Sequence, residues 1–262
     1  MSGFKTIFLK ERSSAFRTPR YWAVGGLFAL ISGFYFAVDL AMRTAVLSLE
    51  ISFLNSLLFV FIPLLTMGSY AEEKQRGTDR LLLTAPVKAS DIVLGKYLSS
   101  CLTFFALTGT ILPHLIIILA LDGKVDQITL ASYIAFLLTG FVYLAIGQLI
   151  SSLVSDQTIA ALVSMLVFLS FNLLQSVSGT IGVFVGRLVG WLDVFNWMRT
   201  GAQSGVGAVV TGLIDRLNPA TKIGPISEGI LSVSSFVYLL SLTVLFLFLI
   251  AMSLERRRWK QR

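Results

Sequence analysis

Residues 51–96 read ISFLNSLLFVFIPLLTMGSYAEEKQRGTDRLLLTAPVKASDIVLGK. The first 21 of them, Ile51–Ala71, contain no Asp, Glu, Lys or Arg. A helix needs about 20 mostly apolar residues to cross a bilayer, so this run predicts a membrane span. The stretch that follows, Glu72–Lys96, is longer than a connector needs. It mixes dense charge with the apolar residues Leu81, Leu82 and Leu83. Pro86 ends whatever helix precedes it, because its ring and missing N–H break the ladder. Ser90 fits the N-cap of a new helix, with Asp91 favourable in the first turn. Two readings satisfy this pattern. One is a short helix held against the membrane on one face and open to a protein partner on the other. The other is an interfacial loop with no partner.

Working outward, the same apolar character fills the chain. Of 262 residues, 55% are hydrophobic and 13% charged, about half the charge of an average soluble domain. The mean hydropathy is +0.82. A compact soluble domain needs a polar skin, so an ordinary soluble enzyme is excluded, as are a disordered chain and a nucleic-acid binder. Six charge-free runs are long enough to span: Tyr21–Val38, Ile51–Ala71, Tyr97–Leu121, Gln127–Ser155, Gln157–Gly186 and Gly229–Leu254. A seventh, Thr200–Ile214, is short and rich in Gly and Val and predicts a surface or re-entrant piece. The resulting fold class is an all-α membrane protein with six transmembrane helices, near 21–41, 51–71, 97–121, 128–153, 158–181 and 230–254. An N-terminal arm (1–20) precedes this 21–254 domain and a basic tail (255–262) follows it. In the arm, Phe4, Ile7 and Phe8 share one helical face, which predicts a helix lying in the headgroup layer.

Lys and Arg set the orientation. Fifteen of the 21 fall in three clusters of five: the arm, the segment between spans two and three, and the tail. The other six are Arg43, Lys124, Arg187, Arg199, Arg216 and Lys222. The positive-inside rule places both termini in the cytoplasm, and an even number of spans requires them to share a side. The first span, followed by five more and by no A-x-A triplet, is expected to stay as an anchor and not to be cleaved as a signal peptide.

The sequence carries no phosphate-cradling G-x-x-x-x-G-K-[ST] and no H-E-x-x-H. Gly95-Lys96 is followed by Tyr97 and has Ser90 where the first glycine of such a loop would stand. His114, the single histidine, follows Pro113 inside the third span and reads as a packed or pore-facing residue more readily than as a proton relay. The single cysteine, Cys101, makes no internal disulfide and has no companions for a metal site. Ser, His and Asp form no nucleophile set, and no internal repeat is evident.

Four amides inside spans, Asn55, Gln148, Asn172 and Gln175, are candidates for a substrate path, against the alternative that they hydrogen-bond neighbouring helices. Asp39 reads as an interfacial carboxylate. Ser178, Gly182, Gly186 and Gly190 recur every four residues, a stripe that lets helices approach closely. It predicts a packed helix pair on the extracytoplasmic side and a place on a dimer seam. Trp191 and Trp197 suit the outer interface.

The strings Ile62-Pro63-Leu64-Leu65-Thr66-Met67, Ala71-Glu72-Glu73-Lys74, Gly77-Thr78, Leu82-Leu83-Thr84-Ala85-Pro86-Val87 and Asp91–Lys96 resemble the signature of ABC-type-2 permeases, most of all the gliding-motility-type branch. Ala145-Ile146-Gly147, Ile150–Leu153 with Asp156-Gln157, and the last span with Leu254–Trp259 agree with it. Arg187–Ser227 is longer than the short extracytoplasmic piece usual in such proteins. The resemblance implies a coupling helix over Glu72–Pro86 that docks on a separate ATP-hydrolysing subunit. Glu72, Glu73, Lys74, Arg76, Gly77, Thr78, Leu82, Leu83 and Pro86 would carry the contact. It further implies that this chain is not itself an enzyme and binds no cofactor, ATP and Mg residing on the ATPase partner. A second permease chain, identical or related, would complete the membrane unit in a bacterial inner membrane. An accessory membrane protein with an extracytoplasmic domain is a further partner, and nucleic acid is not one. The expected work is export, surface assembly or gliding motility. The alternative from another class is a membrane scaffold that anchors a cytoplasmic complex and moves no substrate.

Overall fold

The computed structural model describes residues 3–42, 46–79, 87–121, 126–192, 200–219, 221 and 233–261. All regular structure among them is helical. The elements are α1 (Gly3–Arg17), α2 (Pro19–Ala41), α3 (Leu47–Thr66), α4 (Ala71–Gln75), α5 (Ala89–Thr108), a 3₁₀ turn (Gly109–Ile111), α6 (Leu112–Ala120), α7 (Gln127–Leu153), α8 (Gln157–Leu192), α9 (Thr200–Leu217) and α10 (Val233–Gln261). Six helical segments are long and apolar enough to cross a membrane, α5, the 3₁₀ turn and α6 together making one of them. The chain is thus the multi-pass helical membrane protein that its apolar runs predict.

α7 is the centre of the bundle. It packs against α3, α5, α8 and α10, and 67% of its apolar stretch is buried, against 17% for α8 and for α10. Its enclosed face carries Ala135, Phe136, Tyr143, Leu144 and Ala145, which meet Leu54, Leu58, Phe61, Phe104 and Phe168 from its neighbours. The Tyr143 and Phe168 rings stack at 4.3 Å. Outer helices instead turn large apolar side chains outward: Leu30 and Phe34 on α2, Leu162 and Leu166 on α8, Leu240 and Val244 on α10. In water such faces would drive aggregation; in lipid they are the solvated surface.

Two elements differ from their expected extents. The helix of the fifth span continues past residue 181. α8 runs 36 residues, about 54 Å at 1.5 Å per residue, well beyond a hydrocarbon core of about 30 Å. Its distal third is covered by α9, the helix formed over the segment expected as a surface or re-entrant piece. The seam is built from small residues. A Cβ on Gly182 would run into Thr211 and the Gly207 carbonyl, and one on Gly207 would strike the Gly182 backbone. Thr211 Oγ1 donates to the Ser178 carbonyl at 3.3 Å. The small-residue stripe therefore serves a helix pair within this chain. The second difference is the arm. α1 buries Ile7 against α5, where Gly95 leaves room for Ile7 and the Phe8 backbone. Protein packing, and not the headgroup layer alone, holds it.

Alternate connections bring α1, α4, the start of α5, the α7–α8 connection and the end of α10 to one end of the bundle, called here the charged end. Asp39, Glu50 and α9 lie toward the opposite, far end. Arg80, Leu81, Leu82, Leu83, Pro86 and Trp197 lie outside the described residues.

Candidate functional site

The charged end is assembled around α4. α3 ends at Thr66 and a short turn delivers the chain to Ala71. The first N–H groups of any helix lack intrahelical partners, and here Ser151 of α7 supplies one. Its Oγ accepts from the Tyr70 and Ala71 N–H groups, both at 3.1 Å, and donates to the Met67 carbonyl at 3.0 Å. α4 closes at Gly77, whose φ of +69° suits glycine because it has no Cβ to clash. The Gly77 N–H donates to the Lys74 carbonyl and the Thr78 N–H to the Glu73 carbonyl, which satisfies two last-turn acceptors.

Each polar side chain of α4 ties a different element. Glu72 pairs with Arg20 of α2 at 3.3 Å and with Arg76 at 2.8 Å; Arg20 also donates to Gln157 of α8 at 2.9 Å. Glu73 pairs with Lys96 of α5 at 2.9 Å and with Lys10 of α1 at 3.6 Å. Lys74 donates to the Ser152 carbonyl and, at 2.9 Å, to the Val154 carbonyl. Arg257 of α10 donates to the same Ser152 carbonyl at 2.9 Å. Two cations thus sit on the carbonyls that end α7, where the helix dipole favours positive charge. Gln75 donates to Asp156 at 3.3 Å and accepts from Gln157. Asp156 caps α8, accepting from the Thr158 and Ile159 N–H groups at 2.7 and 3.1 Å.

Lys96 is the hub. Its side chain is 2% exposed, yet its ammonium donates to Glu11 at 3.2 Å, to Glu73 at 2.9 Å and to the Ser69 carbonyl at 2.8 Å. It lies 5.1 Å from the centre of the Tyr70 ring. Three acceptors for three N–H bonds is what a buried ammonium requires to offset its desolvation. Beneath it, Gln148 donates to the Lys96 carbonyl at 3.3 Å and to Ser100 Oγ at 2.8 Å. A polar cavity opens beside this hub, lined in part by Glu11, Arg20, Glu72, Lys96, Ser99 and Ser100.

The residues expected to face a partner therefore separate. Glu72, Glu73 and Lys74 are half-buried and engaged within the chain, whereas Gln75, Arg76, Gly77 and Thr78 form an exposed turn. The path candidates also part company. Gln148 is fully enclosed, Asn172 donates to the Phe168 carbonyl of its own helix at 2.9 Å, and Gln175 is exposed on α8. Asn55 is half-buried with Oδ1 enclosed and without a hydrogen-bond partner. The hydrogen bonds of these amides run to their own surroundings and join no two of them.

Glu11, Ser151 and Lys96 as a hub were not singled out by the sequence. The α7–α8 motif Ile150–Leu153 was visible, but its role as a cap for α4 depends on a contact across 80 residues. A second group lies toward the far end: Glu50, just outside the charge-free run, is completely buried. It accepts from Ser32 Oγ at 2.6 Å and meets His114 Nδ1 at 2.8 Å.

These features define a multi-pass helical membrane protein whose charged end is a braced platform around a short, solvent-presented helix. The chain belongs to the ABC-2 family transporter proteins, whose family model matches residues 5–260. Membership makes it the membrane subunit type of that family and implies an ABC ATPase partner and a lipid bilayer. No curated protein matches the chain.

Proposed function

We propose that this chain is the permease subunit of an ABC transporter, receiving the work of ATP hydrolysis from a separate nucleotide-binding subunit through the turn Gln75–Thr78. The supporting observation is the wiring of α4. The turn is exposed, while Glu72, Glu73 and Lys74 behind it reach α1, α2, α5 and the end of α7. Displacing so short a helix displaces everything bonded to it, the condition for rocking packed spans as rigid bodies. ATP and Mg belong to the partner, and Leu82, Leu83 and Pro86 extend the same contact.

In this reading the charged end faces the cytoplasm of a bacterium, in keeping with the Lys and Arg distribution, and the spans lie in its inner membrane. A second permease chain completes the path, with Asn55, Gln148, Asn172 and Gln175 as its polar positions. The work is outward: export or surface assembly, the gliding-motility type being the branch that residues 62–96 resemble. The α8–α9 hairpin is the place for an accessory partner with an extracytoplasmic domain.

The test is Arg76→Glu in the complex reconstituted with its ATPase. Insertion and the fold should be unchanged, while ATP-driven substrate movement should fall at least about tenfold, the effect of about 1.4 kcal/mol of lost coupling. Unchanged coupling, or an ATPase cross-linked only to other surfaces of the chain, would remove the assignment. ATP hydrolysis that moves no substrate even in the unaltered complex would favour the scaffold reading instead.

A further inference from the structure

The far half of the bundle holds an ionisable group that the coupling mechanism does not use. Glu50, near the start of α3, is 0% exposed. Its Oε1 accepts from Ser32 of α2 at 2.6 Å and sits 2.8 Å from His114 Nδ1 of α6. Its Oε2 is buried and has no hydrogen-bond partner. The His114 ring is clamped on its other side, stacked on Phe36 at 4.3 Å with 5° between the planes. Among the described residues of α2, α3 and α6, the titratable side chains of this half are Tyr35, Asp39, Glu50 and His114.

Such an arrangement is costly unless it binds something. A carboxylate in a lipid-embedded bundle with one oxygen left without a partner is disfavoured. Buried ionisable groups in membrane spans are rare and mark ion or proton sites. The open position on Oε2 needs only a proton for the carboxyl to become neutral. No metal-ligand group of three or more His, Cys, Asp or Glu side chains forms among the described residues. Ser32 and His114 together fix Oε1, which leaves Oε2 as the atom that changes.

We propose that Glu50 and His114 form an intramembrane proton-binding site, with H⁺ adding to and leaving Glu50 Oε2 while His114 Nδ1 and Ser32 Oγ hold Oε1. Only the O–H bond forms or breaks, and the proton is exchanged with solvent. The site lies at a weak point in the third span. A 3₁₀ turn, Gly109–Ile111, interrupts the ladder between α5 and α6, and Pro113 follows it. Proton occupancy therefore bears on how α6 sits against α2 and α3. This inference stands independently of the docking assignment at α4.

The test uses the full chain in lipid nanodiscs and reads the site directly, since His114 is the single histidine. Infrared difference spectra between about pH 5 and about pH 9, the range around histidine titration, should contain a protonated-carboxyl C=O band that disappears in Glu50→Gln. In ¹⁵N-histidine-labelled protein the His114 resonances should change with pH in a step whose midpoint Glu50→Gln moves at least about tenfold in proton concentration, one pH unit. Ser32→Ala, a milder change, should shift the frequency of the carboxyl band without abolishing it, and it serves if Glu50→Gln does not fold. A difference spectrum that Glu50→Gln or Ser32→Ala leaves unchanged, or a His114 step with the same midpoint in both proteins, would overturn the proposal.

Discussion

The two ends of the bundle solve the problem of buried charge in opposite ways. At the charged end, Lys96 is enclosed but faces two carboxylates and a carbonyl, and those carboxylates are themselves 18–21% exposed. At the far end, Glu50 has one nitrogen, one hydroxyl and an oxygen left over. The first arrangement is redundant and wetted at its edge, suited to bearing load. The second has a single point of adjustment.

The comparison can be broken by measuring what each end loses. Lys96→Ala should be the most damaging substitution. It leaves Glu11 and Glu73 to the more exposed Lys10, and removing one partner of a buried pair costs about 3–5 kcal/mol. Partial exposure of both carboxylates places the expectation at the low end of that range. The check is the thermal or denaturant midpoint in detergent. Glu50→Ala should cost less, about 2 kcal/mol, because the loss is two hydrogen bonds and a small void. A larger loss at Glu50 than at Lys96 would invert the comparison. Gly182→Leu should cost about 1–3 kcal/mol by overpacking the α8–α9 seam, read most clearly as increased proteolysis or hydrogen exchange in α9 with the rest of the bundle unaffected. Arg76→Ala should not move the unfolding midpoint measurably, since its pair with Glu72 is largely solvated and exposed pairs contribute little. Any deficit in that variant should appear in coupling to the ATPase alone.

Much of the fold was legible because a bilayer imposes a length rule on a single variable, apolarity. Each of the six runs supplies most of one helix long and apolar enough to span. The small-residue stripe from Ser178 was legible for the same kind of reason, since close helix approach demands a missing side chain. Its partner was not, because Gly207 and Thr211 lie in a segment too short to read as a span. At the candidate site, the position of α4 was legible from its charge density, and the division of labour within it was not. Nothing in the order Glu72-Glu73-Lys74-Gln75-Arg76 distinguishes residues that turn inward from those that face water.

From the amino-acid order alone follow six apolar runs long enough to cross a membrane and a charged segment between the second and the third. Hydrophobic burial in lipid is additive along the chain and needs no knowledge of neighbours. Only the tertiary structure decided that Ser151 caps α4, that Lys96 joins Glu11 to Glu73, and that Glu50 meets His114 across 64 residues. Hydrogen bonds and ion pairs act over a few ångströms, so their partners are fixed by which helices end up side by side, and one-dimensional spacing contains no record of that.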